Sequence, residues 1–261
     1  MIIDLTGKTA LVGGSSGGIG KAVAEQLAIS GASLTLMSHS ADTLKAIVAD
    51  LPADQAQKHQ YLVVDFSDFE GYSKTISEYF QDNSVDILVN NTQGPEAGNT
   101  LEKKVSDYQE AFDLLFKTVV ITTELALQGM IKNRWGRIIN VASVSVKEPL
   151  SYLALSNTIR AAVVTWAKSL ASDVGEHHIT VNSILTGYFD TDRIRQLNAK
   201  KAEQQGIAQA EVRSDMESKV PVKRIGDPKE YGYLVSFLAS QQAAYITGTQ
   251  IPLDGGLLKS L

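Results

Sequence analysis

An α/β fold, a single doubly wound parallel sheet of about seven strands with helices on both faces, is predicted by three features of the 261-residue chain. Short runs of Val, Ile and Leu recur without polar alternation, as strands buried on both faces require. Amphipathic stretches separate them throughout, the pattern of a helix-covered parallel sheet. No linker, low-complexity tract or internal repeat intervenes, so residues 1–261 read as one domain.

The elements follow in order. Lys8 to Gly13 is a short apolar strand, and Ile19 to Ser30 has helical spacing. Ser33 to Ser38 reads as strand, Ala41 to Leu51 as helix, Gln60 to Asp65 as strand, and helix follows to about Asp82. Val85 to Asn91 is the fourth strand, before a long helical stretch from about Val105 to Lys132. Gly136 to Ser143 is the fifth, helix resumes around Ser151 to Val174, and Ile179 to Leu185 is the sixth. A helix near Pro228 to Ala239 and a strand at Thr249 to Pro252 complete the chain. The polar stretch from Asp190 to about Arg224 breaks this rhythm; it reads as a partly helical substrate lid over a crevice at the strand ends.

Composition narrows the functions. A formal net charge of -5 and a pI near 5.4, with no basic stripe, argue against nucleic acid or an anionic membrane as partner. Without cysteine there can be neither disulfides nor thiolate-metal sites. No window reads as a membrane span of roughly 18–20 apolar residues and the first residues lack signal-peptide character, so a cytoplasmic protein is expected. His177-His178 falls in a turn and no metal-ligand spacing occurs, so no metal is expected.

The most specific motif is ALVGGSSGGIGKAVAEQLAISG, with glycines at 13, 14, 17, 18 and 20 between the first strand and the first helix. Glycines there allow a tight turn, close approach of a pyrophosphate and close helix–strand packing. The helix N-terminus offers free N–H groups and positive potential to phosphate. A dinucleotide site involving Gly14, Ser16, Gly18, Ile19 and Gly20 on a Rossmann-type sheet is therefore expected. Ser38 stands at the end of the second strand, where an acid would repel a 2′-phosphate. With His39 beside it and no Arg or Lys, NADP is expected and NAD stays open.

With that loop, further stretches resemble the short-chain dehydrogenase/reductase family over nearly the whole chain, in the 3-oxoacyl-[acyl-carrier-protein] reductase-like group. Gly14-x-x-x-Gly18-Ile19-Gly20 is similar to its cofactor loop, with Gly13 in place of the usual threonine. Asp65 matches the acid that faces adenine, and Asn90-Asn91-Thr92-Gln93-Gly94 resembles an Asn-Asn-Ala-Gly motif. TVNSILTGYFDT matches the segment along the nicotinamide, which carries Gly187, Phe189 and Thr191, and YITGTQIPLDGG matches the C-terminal signature. The resemblance implies NAD(P)H-dependent carbonyl/alcohol chemistry on a small-molecule or acyl-thioester substrate, with Asn91 and the other matched residues holding cofactor, in a homotetramer.

It also implies a Ser-Tyr-Lys set with an Asn, in which a nearby cation lowers the tyrosine pKa from about 10. Here the stretch Ala161 to Ala171 aligns with the family's continuation after the lysine. This puts Arg160 at the lysine place, Ser156 at the tyrosine place and Leu115 at the asparagine place, with Ser143 retained. Ser143 and Ser156 are then 13 residues apart, as expected. Tyr152, Ser156 and Arg160 are spaced i, i+4, i+8, so a helix including all three would align them and let Tyr152 serve as a displaced proton donor. Tyr152 as a capping or packing residue is the alternative. Arg160 can hold the nicotinamide ribose and stabilise an oxyanion, but not act as a tunable proton store. Two functions stay open: an oxidoreductase with an altered proton donor, and an impaired cofactor-binding sensor or assembly protein. A halohydrin-dehalogenase-like activity, suggested by Arg160, is opposed by the intact glycine loop and the missing aligned tyrosine.

Overall fold

A computed structural model describes residues 2–260. Seven parallel strands run in the order β3-β2-β1-β4-β5-β6-β7. They are β1 (Thr9–Val12), β2 (Ser33–Ser38), β3 (Gln60–Val63), β4 (Ile87–Asn90), β5 (Gly136–Val141), β6 (Ile179–Thr186) and β7 (Gln250–Leu253). The strand order reverses between β1 and β4, and a ligand crevice is expected beyond the strand C-termini there.

Side chains alternate between the two sheet faces along each strand. Ala10, Val12, Ile87, Val89, Ile139 and Val141 pack on one face with α1 (Gly18–Ile29), α2 (Ala41–Asp50) and α9 (Pro228–Ala239). Leu11, Leu88 and Ile138 face the other, against α3 (Phe69–Asp82), α5 (Thr118–Asn133) and α6 (Ala154–Val174). Both faces are covered, so the strands carry apolar residues in both registers.

Two predicted helices differ in detail. The stretch from 105 is α4 (Val105–Phe112), a π-helical turn at Asp113–Lys117, then α5. Such turns insert one residue into the helical repeat and are frequent at functional sites; this one contains Leu115, buried in the core. Contrary to the sequence expectation, Val105–Asn133 is long and apolar enough to cross a membrane by length and composition. Here Ala111, Leu114, Leu115, Ala126 and Met130 instead bury themselves in the core.

The second difference is the start of α6, at Ala154 rather than near Ser151. Main-chain groups ahead of it are engaged elsewhere: the Tyr152 carbonyl accepts from Gly98 N at 2.8 Å, and Ala154 N donates to the Gly98 carbonyl at 3.1 Å. The polar stretch after β6 forms α7 (Asp192–Gln205) and α8 (Gln209–Lys219).

Candidate active site

The glycine loop leaves β1 and enters α1 through two positive-φ residues, Gly14 (φ +58°) and Gly18 (φ +51°), a conformation that disfavours side chains. A Cβ on Gly20 would collide with the Gly14 carbonyl, and one on Gly13 with the Asn91 carbonyl. The missing threonine at position 13 thus goes with a close backbone approach between the loop and the end of β4. Asn91 Nδ2 fixes that approach by donating to the Gly13 carbonyl at 3.0 Å. No side chain caps α1, and no acid lies in its first turn, so its free N–H groups are left for an anion.

These elements border a cavity of about 1510 Å³ over the strand C-termini. Gly14, Ser16, Gly18, Ile19, Gly20, Ser38, His39, Asn91, Gly187, Phe189 and Thr191 all line it, as do Ser143, Tyr152, Ser156 and Arg160. Asp65 does not: Phe66 forms the wall at that point. The Asp65 carboxylate accepts from the Ser67 hydroxyl and then from the Ser67 main-chain N–H, which hold it below its usual pKa. At the tip of β2, buried Ser38 accepts from Ser40 N at 3.1 Å while His39 stands exposed.

The centre is built from β5, α6 and β6. Ser143 follows β5, and its Oγ accepts from Ser145 N at 3.1 Å, leaving its own proton to donate. Ser156 is buried in the first turn of α6, and Arg160 lies one turn further on the same face. The guanidinium donates to the Val141 carbonyl, two residues before Ser143. It has no carboxylate partner among the described residues, and four of its five N–H groups remain for a ligand. Burial pushes its pKa below the usual arginine value, opposed by the nearby Tyr231 phenol. Tyr231 is fully buried on α9 and shares a hydrogen bond of 3.1 Å with Thr186 at the end of β6.

Tyr152 lies in the turn before α6, so the three-residue helical alignment does not form. Its phenol is pushed up to about 12, by burial first and then by Tyr188. Although 47% of the residue is exposed, no cation lowers that value.

Sequence reasoning missed several wall residues. Tyr188 lines the cavity between Gly187 and Phe189, and burial raises its phenol pKa; its place inside TGYFDT was the available signal. Arg193 and Lys200 of α7, and Leu257 and Leu258 near the C-terminus, also line it. The latter two pack on Val144, Val164 and Leu185, while the Glu148 carboxylate holds the Lys259 and Ser260 N–H groups at 2.8 Å. Only their three-dimensional placement reveals that contribution.

A family model described as Enoyl-(Acyl carrier protein) reductase matches residues 14–258. The 3-oxoacyl-[acyl-carrier-protein] reductase FabG of Aquifex aeolicus (strain VF5) is 30% identical over 258 residues, spanning 98% of this chain and 100% of that protein. The NADPH-dependent reductase BacG of Bacillus subtilis (strain 168) is 31% identical, covering 97% of this chain and 99% of that one. L-sorbose reductase from Gluconobacter frateurii, solved with NADPH and L-sorbose, superposes with a TM-score of 0.92 at 29% identity, over 100% of both chains. With a family model covering most of its length and full-length relatives at this identity, the chain belongs to the short-chain dehydrogenase/reductase family.

Proposed function

We propose that the protein is an NADPH-dependent oxidoreductase that interconverts a carbonyl and an alcohol on a small molecule or 3-oxoacyl thioester, using an altered proton donor. The observation that carries this reading is the shared cavity: an uncapped α1 N-terminus behind close-approach glycines opens into the same space as Ser143, Ser156 and Arg160. The site fits a dinucleotide on its own chemistry. The α1 amides suit a pyrophosphate, the Ser38–His39 end has no carboxylate facing the cavity, and Arg160 keeps donors for ribose hydroxyls. NADPH supplies the hydride when bound.

The chain's own residues supply the rest. Ser143 and Ser156 orient the substrate oxygen by hydrogen bonds. Arg160 stabilises the negative charge that gathers on that oxygen, in a buried setting where such a contact counts for more than in water. Tyr152, whose phenol is pushed up to about 12 and so keeps its proton near neutrality, is the candidate donor, either directly or by way of Ser156 or an intervening water. Positioned acid–base catalysis is worth roughly 10²–10⁴-fold, so turnover slower than that of a Tyr-Lys enzyme is expected. Helices α7 and α8 serve as the substrate lid, and a cytoplasmic homotetramer is the accompanying expectation.

A second reading, a catalytically impaired cofactor-binding sensor or assembly protein, is favoured by one observation: no cation lowers the pKa of the Tyr152 phenol, and Lys219 does not offset the burial that raises that of Tyr188. The test begins with melting temperature against NADPH and NADH, since a ligand of the native state raises it by mass action. A saturable rise with NADPH, followed by substrate-dependent loss of absorbance at ~340 nm with acetoacetyl thioesters and simple ketones, supports the oxidoreductase. Binding with no turnover on any carbonyl leaves the sensor reading. No shift with either dinucleotide removes both.

A further inference from the structure

We infer that the lid makes the substrate half of the cavity a receptor for an oxyanion, so that the substrate carries a carboxylate or phosphate beside its reacting carbonyl. This rests on the oxidoreductase reading and names its substrate class. Residues 190–224 hold eight Arg and Lys against six Asp and Glu, in a chain whose net charge is -5. The cations are not spread evenly. Arg193, Gln196, Lys200 and Gln204 all line the cavity at helical spacing, so one face of α7, itself open to solvent, borders it.

The two cations on that face are uncompensated. Arg193 Nη2 donates to the Pro95 carbonyl at 3.0 Å and has no carboxylate partner among the described residues. Lys200 makes no ion pair among them; Glu96, its electrostatic neighbour, is already paired with Lys103 at 3.0 Å. Beside them, Asp215 is shared by Lys201 at 3.3 Å and Lys219 at 2.8 Å, leaving a further positive charge. The lining carboxylates that could offset these are engaged elsewhere. Asp192 is held by Arg195 at 2.7 Å, Glu102 by Asn99, and Glu148 by the Lys259 and Ser260 N–H groups.

Space allows a second ligand. Pockets for one small molecule or cofactor are about 300–1,000 Å³; this cavity, at 1510 Å³, exceeds that range. An anion drawn to Arg193 and Lys200 enters between the lid and the Ser143–Ser156 centre. Like-signed cations lining a cleft attract it over distance and discriminate against neutral carbonyls.

The test uses the full chain at low ionic strength, with malonate and inorganic phosphate as separate probes. Melting temperature is followed with and without saturating NADPH, against sodium chloride of matched ionic strength. A saturable rise with malonate, phosphate or both, beyond that of chloride, is expected and identifies the anion class. The double variant Arg193→Gln/Lys200→Gln should raise the probe's apparent Kd about tenfold. Lys45→Gln, a cation lost from α2 away from the cavity, should leave it unchanged. No rise beyond chloride, or equal responses of the double variant and the wild type, overturns the proposal. The NADPH titration is scored on its own: a cofactor shift without an anion response sinks only this inference, and an anion response without a cofactor shift sinks the redox reading and with it the carbonyl substrate, leaving only an anion site.

Discussion

The Arg160 guanidinium on α6 donates to the main-chain carbonyl of Val141, tying a charged group that shares the cavity with Ser143 and Ser156 to the end of β5. One donor is thereby spent on the fold, and the other four make no hydrogen bond among the described residues. Ser156, one turn earlier on α6, and Ser143, just past β5, line the same cavity.

Replacing Arg160 by alanine should therefore act on binding more than on folding. The cation has no counter-ion, so its removal relieves a desolvation cost while leaving one carbonyl unpaired. The apparent Kd for NADPH should rise about tenfold while the melting temperature of the free protein changes little. Unaltered NADPH affinity by titration calorimetry would mean that Arg160 does not hold the cofactor.

Ser38 offers control of cofactor choice. It is buried at the tip of β2, where its hydroxyl accepts from Ser40 N at 3.1 Å, and an aspartate can accept the same bond. The new carboxylate would face the adenosine ribose, favouring free hydroxyls and repelling a 2′-phosphate. Ser38→Asp should weaken NADPH and strengthen NADH by about tenfold each, read from paired thermal titrations. A variant that still prefers NADPH would place the 2′-phosphate away from this strand.

Tyr152 should leave its mark at alkaline pH. Its phenol is pushed up to about 12, whereas the unfolded chain releases that proton near the ordinary value of 10.0. Between those values the unfolded state binds fewer protons than the native state, so stability falls as pH rises. The contribution is complete below pH 10 and lost through about 12. Tyr152→Phe should flatten that decline in denaturant titrations. If Tyr152 is the proton donor, the same variant abolishes turnover at neutral pH; full activity would assign the proton to solvent through Ser156.

How far the sequence reveals this site depends on which interactions fix each part. β2 and α9 are read with the bounds they have, because Ser33–Ser38 is a continuous strand-forming run and Asp227-Pro228 with Glu230 signals a capped helix start. The glycine loop is legible for the same local reason. The start of α6 is not, because Tyr152 and Ala154 spend their main-chain groups on Gly98, more than fifty residues away. Nor is the π-helical turn at Leu115, which lies inside an unbroken apolar period. The cavity-lining cations Arg193 and Lys200 look like any solvated helix face until α7 is placed beside the cavity.

The last expectation concerns the helix that supports Tyr231. The Glu230 carboxylate is held by both Arg224 nitrogens, at 2.6 and 2.7 Å, and by Asp227 N at 2.8 Å, closing the capping box of α9. The Arg224 bonds and then the Asp227 amide lower its pKa from 4.5 to about 2. Here the native state gives up its proton more readily than the unfolded chain. The stabilisation is therefore present above pH 4.5 and lost as pH falls through about 2. The carboxylate is more than a third exposed, so screening keeps the effect small; Glu230→Gln should cost about 1 kcal/mol at neutral pH. The wild type should lose its advantage over the variant between pH 4.5 and 2, measured by urea midpoints across that window. Because the next residue, Tyr231, packs edge-on to Phe189 at a ring separation of 5.4 Å, loosening this cap should also raise exchange of the amides leading into α7. A pH-independent difference between wild type and variant would mean that the Arg224–Glu230 contact is not formed in solution.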